Sequence, residues 1–578
     1  MFKILKKLQE RKKQEQSLIT PKTSAPLRVV LCYPNQYSIG MANLGFQWVY
    51  KLFNDHSLVS CERAFYPDPS EEKIHWEKKI PVLALESKRP ISEFDVIAFS
   101  FSYELDYLNA LKMLLMSGIP LRSAQRRKGA GKKFFFPLLL GGGIAISSNP
   151  EPMADFFDLI VVGEAEAVID QLIEALAETG KTVSLSGLGQ IFSELEGIYL
   201  PSAYQPEYDS EGKLRQIKTL GKAPPQIKSL KASPSQLPSY QVIFSPQMEF
   251  SELGLIELMR GCRWGCRFCL AGYFYRPPRM ADYHKVISAI EQIRKYRSRL
   301  GLISPVVPDW EGFAPLLNYL EREKISFSPT SLRVESISDK LLERMKASGA
   351  KTITLAPEVG SCSLQRFINK EIKEDKLLRQ ARKIAREGFE KIKLYYQVGF
   401  PEEGELAVDE IAVSIRRIKT ALAMGAGRKK YPGTIEVSIN PFIPKPHTAF
   451  QWLEMEEGEK LEEKLKRLQS QLRKEEGLEL KISSVREALF QAIISRGDRE
   501  LSRLLEELAR GKISLTKIIK APGVKARYLR AREKDELLPW DLIDTGVRKE
   551  YLWNEYERAL AKKTTPRCQK GCKDCGAC

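Results

Sequence analysis

The sequence predicts an α/β protein with four parts: an N-terminal doubly wound parallel sheet, a partial (β/α)6 barrel, a helical region and a cysteine-rich tail. Two observations support this order. Short apolar runs alternate with helical stretches in two separate blocks, a pattern typical of parallel sheets covered by helices. Seven of the ten cysteines fall in two clusters, at residues 262–269 and 568–578.

The first block predicts a doubly wound domain over residues 27–200. A basic arm, residues 1–26, precedes it, and we expect this arm to be either mobile or a short helix. Ligands of such domains bind at the carboxyl ends of the strands. The strand-like runs are Leu27–Tyr33, Asp95–Phe101, Phe134–Leu140 and Leu159–Val162.

Residues 201–245 are rich in proline and predict a linker with one hairpin. The barrel is expected over residues 246–455, with functional groups at the carboxyl ends of its strands. Residues 456–560 predict helices, and residues 561–578 form the tail. The strand candidates of the barrel are Leu253–Met259, Gly301–Val307, Ile325–Leu332, Thr352–Leu355, Lys391–Val398 and Thr434–Ile439.

Three cysteines, Cys262, Cys266 and Cys269, follow the first predicted barrel strand with C-x3-C-x2-C spacing. Three thiolates on one loop can hold a 4Fe–4S cluster by three of its irons and leave the fourth iron open. A structural zinc site would need a fourth Cys or His close by, and none follows within this loop.

The tail repeats this spacing with Cys568, Cys572 and Cys575, and Cys578 adds a fourth ligand. Four thiolates predict a closed second iron–sulfur cluster that relays electrons. A structural zinc site with four cysteines and a disulfide pair are the alternatives.

Composition favours a chain with sizeable cores and no membrane segment, because 43% of residues are hydrophobic and no apolar run reaches a span of ~18 residues. The N-terminus lacks the continuous apolar region of a secretory signal. Clustered cysteines then indicate metal binding in a reducing compartment, and we expect a cytoplasmic protein. The net charge of +18 and two acid-free basic stretches, residues 112–133 and 510–532, suggest RNA or ribonucleoprotein as a partner, with a solvated basic surface as the alternative.

The cysteine loop resembles that of the radical S-adenosylmethionine (SAM) enzymes. Other motifs extend the likeness to the largely uncharacterised radical SAM proteins that carry a cobalamin-binding-like domain, here residues 27–200. The matching motifs are Ala271–Arg279, Ser331–Arg333, Ala356–Ser361, Lys393–Tyr395, Pro444–Thr448, Gln451–Trp452, Leu538–Asp541 and the terminal cysteines.

The resemblance implies that the open iron binds SAM and that an electron from a flavodoxin- or ferredoxin-like donor leads to a 5′-deoxyadenosyl radical. It implies that Phe268 lies against the adenine. It also implies that Arg333, at the end of the third barrel strand, pairs with the SAM carboxylate and that Glu358, at the end of the fourth, binds the ribose hydroxyls. A strand-end salt bridge for Arg333 and a helix N-cap for Glu358 are the alternatives. The usual Gly-Gly-Glu motif is absent, and we expect Asp309 to replace it.

The cobalamin-binding-like domain departs from its relatives in the loop Asn35–Gly40. Tyr37 stands where relatives have a cobalt-ligating histidine, and a phenol is a poor cobalt ligand. Ser102 and the glycines Gly141, Gly142 and Gly143 are expected to line the nucleotide tail of cobalamin, because glycine lets a ligand approach the backbone. A domain kept only as a scaffold is the alternative.

Together these features predict a radical SAM enzyme that abstracts hydrogen from an unidentified substrate and, with cobalamin, transfers a methyl group. The alternatives are a corrinoid-free rearrangement or sulfur insertion on RNA or protein, and an iron–sulfur redox sensor that binds nucleic acid. A tRNA methylthiotransferase is disfavoured, because the N-terminal region offers only Cys32 and Cys61. Cys362 is a candidate hydrogen-atom donor, with a small buried residue as the alternative.

Overall fold

The computed structural model describes residues 1–127, 137–179, 185–330 and 332–578. The chain forms two compact units, and the region 456–560 is divided between them. Unit 1 consists of Met1–Gly254, Ile493–Tyr528 and Asp535–Gly546, and unit 2 consists of Leu255–Ala492, Leu529–Lys534 and Val547–Cys578.

Unit 1 is built on a six-stranded sheet with the order β2-β1-β3-β4-β5-β6. The first five strands are parallel, and β6 is antiparallel to β5. The order reverses at β1, so the carboxyl ends of β1 and β3 border the crevice where doubly wound folds bind ligands. The predicted fold of this block is confirmed. The strands are β1 (Leu27–Tyr33), β2 (Val59–Phe65), β3 (Val96–Ser100), β4 (Leu138–Gly142), β5 (Leu159–Val161) and β6 (Ile198–Tyr199).

The strands of this sheet are apolar almost throughout; Val29, Val30 and Leu31 of β1, for example, are all buried. Continuous apolar strands are typical of a parallel sheet that helices cover on both faces. The helices of unit 1 include Phe2–Gln14, Tyr37–Ala42, Leu44–Asp55, Pro69–Glu77, Asp106–Met116, Ser123–Arg127, Ile144–Ser148, Ile169–Thr179, Leu185–Phe192, Leu501–Ala509 and Leu515–Lys520.

The N-terminal arm is a docked helix, Phe2–Gln14, and the expectation of a mobile arm is wrong. Ile4 of this helix packs with Ile80 and Leu83 in a small apolar cluster. The next residues, Gln16–Ser17, pair with a later strand of the same unit. Burial of an apolar face thus holds this basic segment to unit 1.

The proline-rich segment 201–245 contains the predicted hairpin, formed by Tyr204–Tyr208 and Leu214–Thr219. It is packed more tightly than a linker would be, since Leu237 and Val242 are fully buried in unit 1. Proline marks the turns of this segment, and its apolar residues still reach the core.

Unit 2 holds a four-stranded sheet, a two-stranded ribbon (Met259–Arg260 with Arg279–Met280) and a three-stranded sheet whose first strand, Leu253–Glu257, begins in unit 1. All six predicted strands are present, and the strands of the four-stranded sheet, β10-β11-β12-β13, are parallel. Strand β13 was not predicted and lies in the region 456–560, which was expected to be helical. The alternation Leu478-Glu-Leu-Lys-Ile482 is a strand signal. The strands are β7 (Leu253–Glu257), β8 (Arg299–Ile303), β9 (Ser326–Pro329), β10 (Thr352–Glu358), β11 (Lys391–Val398), β12 (Thr434–Pro441) and β13 (Leu478–Ile482).

The four-stranded sheet has one apolar and one polar face. In β11, Leu394 and Tyr396 are buried, whereas Lys393, Tyr395 and Gln397 on the opposite face are not. Among the described residues, no helix combines the length and apolarity that crossing a bilayer requires. The helices of unit 2 include Leu270–Phe274, Tyr283–Ile293, Phe313–Arg322, Asp339–Ala347, Cys362–Phe367, Glu374–Arg386, Glu405–Gly425, Gly458–Leu472 and Lys549–Leu560, and Val485–Arg496 crosses the division at residue 492.

Candidate active site

The cysteine loop of unit 2 begins just after the short strand Met259–Arg260, which pairs with Arg279–Met280 and closes the base of the loop. Gly261 has φ +83°, and a Cβ atom there would lie 2.5 Å from the Tyr275 carbonyl oxygen, so only glycine fits. The backbone N–H of Cys269 donates to the Cys266 carbonyl at 3.1 Å. The three predicted cluster ligands therefore share one tightly turned loop.

Arg267 anchors this loop, and its side chain is fully buried. Its guanidinium group donates to the carbonyl oxygens of Phe367 (3.0 Å) and Lys563 (2.7 Å) and pairs with Glu555 at 3.2 Å. Its backbone N–H donates to the Ile368 carbonyl at 3.0 Å. A buried cation needs such partners, so the loop is fixed by segments about 100 and 290 residues away in sequence.

Two predicted SAM-binding residues, Asp309 and Arg333, meet at Trp264 of the loop. The indole Nε1 of Trp264 donates to Asp309 Oδ2 at 2.8 Å. The Arg333 guanidinium carbon lies 3.8 Å from the indole centroid, within cation–π range, and its Nη1 lies 3.6 Å from Cys266 Sγ. Arg333 also forms a salt bridge to Glu335 at 3.3 Å, which is the alternative role that the sequence allowed for it.

The position of Arg333 differs from the prediction, which placed it at the end of the third barrel strand. That strand, β9, ends at Pro329, and Arg333 directly precedes the short 3-10 helix Val334–Ser336. The cation thus comes from a loop beyond the strand, which gives it the reach to contact the cysteine loop.

Glu358 ends β10, as predicted, and both of its carboxylate oxygens accept hydrogen bonds. The donors are Lys370 Nζ at 2.7 Å and Gln397 Nε2 at 2.8 Å. The helix N-cap interpretation is wrong, because Ser361 caps the helix Cys362–Phe367. A carboxylate has about four acceptor positions, so two remain for a ligand. Glu358 has φ +70°, and strain of this kind concentrates at functional sites.

Burial raises the pKa of the Cys262 thiol to about 12 and that of Cys269 to about 11. These thiols therefore stay protonated at neutral pH until a bound cation favours the thiolate. Three cysteines on one anchored loop, with Arg333 beside Cys266, fit a cluster held by three thiolates. Across the described ranges, no three Cys, His, Asp or Glu side chains converge on a single-ion site.

Phe268 and Cys362 occupy different environments. Phe268 is half-buried and packs against the aromatic cluster that includes Phe400 and Phe450. Cys362 is exposed at the start of its helix, so the expectation of a small buried residue is wrong.

The tail lies against the cysteine loop within unit 2. The backbone N–H of Cys568 donates to the Arg263 carbonyl at 2.7 Å. Asn369 connects the same two segments, because its amide donates to the Gly265 carbonyl at 2.9 Å and accepts from the Thr565 N–H at 2.8 Å. Cys575 is buried and Cys578 is exposed, while Cys568 and Cys572 are half-buried.

The loop after β1 in unit 1 holds Tyr37 in the protein interior. Tyr37 is 1% exposed, and its hydroxyl donates to Glu15 Oε1 at 2.8 Å. Arg63 binds the same carboxylate at 2.7 Å. Burial raises the pKa of the Tyr37 phenol well above its usual value. The phenol is thus committed to protein partners and does not fit the role of a cobalt ligand.

The other predicted cobalamin residues lie at the carboxyl ends of β3 and β4. A Cβ atom on Gly143 would lie 2.4 Å from the Phe101 carbonyl oxygen, and one on Gly141 would lie 2.9 Å from Ile146, so both glycines serve the protein's own packing. Only Gly142 faces open space, with its nearest contact at 3.9 Å. Ser102 is exposed and accepts a hydrogen bond from Asn43 at 2.9 Å. This open edge fits a ligand that lies along the backbone.

A buried acid lies beside this edge. Asp106 accepts a hydrogen bond from the Asn35 amide at 2.9 Å, and burial raises the pKa of Asp106 to about 6. This bond joins the loop after β1 to the start of the helix Asp106–Met116, which follows β3.

The two basic stretches, residues 112–133 and 510–532, differ in how many of their described cations pair with acids. In the first, Lys112, Arg122 and Arg126 pair with acids of unit 1, and Lys128, Lys132 and Lys133 lie outside the described residues. The second stretch presents exposed cations at Lys512, Lys517, Lys520 and Lys525. Of these two stretches, only the second offers a described basic surface to a partner.

Several residues of the site were missed from the sequence. Trp264 and Arg267 lie inside the loop itself, and Gln397 lies near the end of a predicted strand. Their positions in the sequence could therefore have marked all three as candidate site residues. Nothing in the sequence marked Lys370 or Asn369, which reach the site from the turn after the helix Cys362–Phe367.

Known proteins share these two blocks. The family described as radical SAM superfamily matches residues 256–415, and the family described as radical SAM proteins, N-terminal, matches residues 45–201. An uncharacterized protein of Methanocaldococcus jannaschii is 29% identical over 503 residues, 87% of this chain and 95% of that protein.

Two solved structures are similar in part. One is TsrM from Kitasatospora setae, a radical SAM methyltransferase with cobalamin and a [4Fe-4S] cluster bound (12% identity, TM-score 0.46, 72% of this chain and 75% of that chain). The other is the cobalamin-dependent enzyme OxsB with aqua-cobalamin and SAM bound (14% identity, TM-score 0.48, 87% and 64%). The superfamily match spans the cysteine loop, Asp309, Arg333 and Glu358, so residues 256–415 form a radical SAM superfamily domain.

Proposed function

We propose that this radical SAM enzyme cleaves SAM at a cluster held by Cys262, Cys266 and Cys269 and abstracts hydrogen from an unidentified substrate. The proposal rests on the observation that Asp309 and Arg333 both contact Trp264 of the anchored cysteine loop. When bound, the cluster supplies the electron that converts SAM to methionine and a 5′-deoxyadenosyl radical.

The protein residues bind and orient the cofactor. Arg333 offers a guanidinium fork that matches the two oxygens of the SAM carboxylate. Asp309 keeps one carboxylate oxygen for the SAM amino group, since Trp264 occupies the other. Glu358, held by Lys370 and Gln397, accepts from the ribose hydroxyls with its remaining lone pairs.

Anaerobic reconstitution with iron and sulfide, followed by reduction with dithionite, tests this proposal. We expect 5′-deoxyadenosine and methionine in equal amounts. Glu358→Gln should keep the iron and weaken SAM binding about 10- to 100-fold, because hydrogen bonds to a charged acceptor contribute ~1.5–3 kcal/mol. Glu311→Gln is the control, because Glu311 is exposed and pairs only with Arg263. Reduction of the cluster without any cleavage of SAM would instead favour a redox sensor.

We further propose that unit 1 binds cobalamin at the edge of Ser102 and Gly142, and that the reaction is methyl transfer to an unactivated carbon. The supporting observation is the open space at Gly142 beside the switch point of the sheet. Because Tyr37 is buried against Glu15, position 37 supplies no ligand below the cobalt.

Binding of hydroxocobalamin tests this second proposal. Gly142→Val should abolish retention, because a β-branched side chain fills the open space, whereas the control Gly189→Val adds the same bulk on a helix of unit 1 where no atom lies within 4 Å. Tyr37→Phe should hardly change retention, and the absorption spectrum should show no histidine nitrogen on cobalt. Wild-type protein that never retains hydroxocobalamin, even when refolded with it, would show that the domain is only a scaffold.

A further inference from the structure

The tail and the cysteine loop are joined directly through the backbone. The Cys568 N–H donates to the carbonyl of Arg263, the neighbour of Cys262, at 2.7 Å. Since consecutive Cα atoms are about 3.8 Å apart, the Cα atoms of Cys262 and Cys568 lie within about 10 Å of each other. A metal group on the tail would therefore be a close neighbour of the group on the loop.

Arg276 lies between the two motifs and is buried. It donates to the Gly272 carbonyl at 2.8 Å and to the Tyr551 hydroxyl at 3.2 Å. Tyr551 belongs to the helix Lys549–Leu560, and the N–H of Arg548, which caps this helix, donates to the Cys575 carbonyl at 2.9 Å. The segment after the cysteine loop and the tail are therefore both tied to this helix.

The surface around the tail is basic. Residues 561–578 contain five cations and a single acid, Asp574. All five cations are exposed, and within the part of the chain that the structure describes none of them forms an ion pair. Unpaired cations around one site attract a negatively charged partner and speed its association. The cations are Lys562, Lys563, Arg567, Lys570 and Lys573.

We infer that the tail is the electron entrance of the enzyme: its four cysteines hold a second iron–sulfur cluster, and the basic surface binds an acidic one-electron donor protein. This inference rests on the proposed function, which requires a reduced cluster on the cysteine loop. One electron leaves the reduced donor, passes through the tail cluster and arrives at the loop cluster. The donor is oxidised by one electron, the tail cluster returns to its starting state, and no bond is formed or broken.

The first experiment compares two reductants on the fully reconstituted enzyme. Dithionite is small enough to reach the loop cluster without docking, whereas reduced flavodoxin, an acidic protein, must dock. In the double variant Lys570→Glu/Lys573→Glu, reduction by flavodoxin, followed as cluster bleaching in a stopped-flow instrument, should slow about 10-fold or more at low ionic strength. Reduction by dithionite should be unchanged.

The matched control is Lys512→Glu/Lys520→Glu, which makes the same change in net charge on the exposed basic stretch of unit 1. It should leave both rates unchanged. Equal slowing by both double variants would overturn the inference, because the effect would then follow net charge alone. Loss of RNA binding in the tail variant, with flavodoxin reduction unchanged, would overturn it in favour of an RNA surface.

The second experiment removes tail ligands, with Cys572→Ser and, in case that variant misfolds, the exposed Cys578→Ser. We expect roughly eight iron atoms per chain in the wild type and roughly four in the variants, because each cluster holds four. The electron paramagnetic resonance signal of the loop cluster and SAM cleavage with dithionite should persist, while reduction by flavodoxin is lost. One zinc atom lost with no loss of iron would overturn the inference. Failure of the wild type to cleave SAM with dithionite would refute the proposed function instead.

Discussion

The two cysteine motifs have the same C-x3-C-x2-C spacing but different surroundings. The loop motif is enclosed: Arg267 is buried beneath it, and Arg333 contacts Cys266. The tail motif is exposed around Cys578 and is held by the backbone bond to Arg263, by Asn369 and by two hydrogen bonds from Arg548 to the carbonyls of Asp574 and Cys575. Spacing determines which thiols can share a cluster, whereas the surroundings determine what can reach it. On the two proposals above, a small cofactor reaches the loop and a partner protein reaches the tail.

The largest difference is expected for substitution of a cysteine in each motif. Cys266→Ala should reduce SAM cleavage with dithionite to background, because a cluster held by two thiolates is labile. Cys572→Ala should leave that activity close to wild type. The measurement is 5′-deoxyadenosine formed per chain over time, and full activity in Cys266→Ala would contradict the assignment of the loop as the catalytic centre.

The buried contacts of the loop motif should contribute measurably to the free energy of unfolding. Arg267→Ala removes the buried cation beside Glu555, which keeps only Thr565 and a longer pair with Arg558 at 3.7 Å, and it removes the donor to the Phe367 and Lys563 carbonyls. The loss should cost about 3–5 kcal/mol. Arg263→Ala, in the same loop, removes only a pair with the exposed Glu311 and should cost ~1 kcal/mol or less. Thermal unfolding of both variants checks the prediction, and equal melting temperatures would show that the Arg267 network contributes little.

A smaller effect is expected where the two motifs are joined. Asn369→Gly keeps a residue that tolerates φ +53° but removes the side-chain hydrogen bonds to Gly265 and Thr565. With a net value of about 1 kcal/mol for each bond, the tail should detach more often and be cleaved several-fold faster by trypsin after Lys562 and Lys563. Asn369→Asp keeps the acceptor for the Thr565 N–H, so its rate of cleavage by trypsin should lie between the rates of the wild type and Asn369→Gly.

The smallest effect is expected for Cys362, which belongs to neither motif. Cys362→Ala should leave the iron content and SAM cleavage unchanged, because the side chain is exposed. Loss of iron in this variant would mean that a cysteine outside the two motifs holds metal. With a substrate in hand, a loss of product and unchanged SAM cleavage would support the role of Cys362 as a hydrogen-atom donor.

The sequence predicted the parts of the molecule that depend on local periodicity. The strands β1 and β11 match their predicted bounds, because apolar runs and alternation are local signals. Strand β13 was missed because charged residues around it favoured helices. Asp309 and Glu358 were named through resemblance, and their roles in SAM binding stay predictions. Arg267 and Asn369 act through contacts that join distant segments, and single-sequence patterns carry no such information.

The anchoring of Arg267 has a consequence for synthesis of the protein. Its partner at Lys563 lies 296 residues further along the chain. At 5–20 residues per second, a ribosome needs about 15–60 s to make that stretch. During this interval the three thiols of the loop exist without their final surroundings and are open to oxidation. Stable cluster insertion is therefore expected after translation has passed the last helix, and oxygen exposure during synthesis should harm the enzyme more than exposure afterwards.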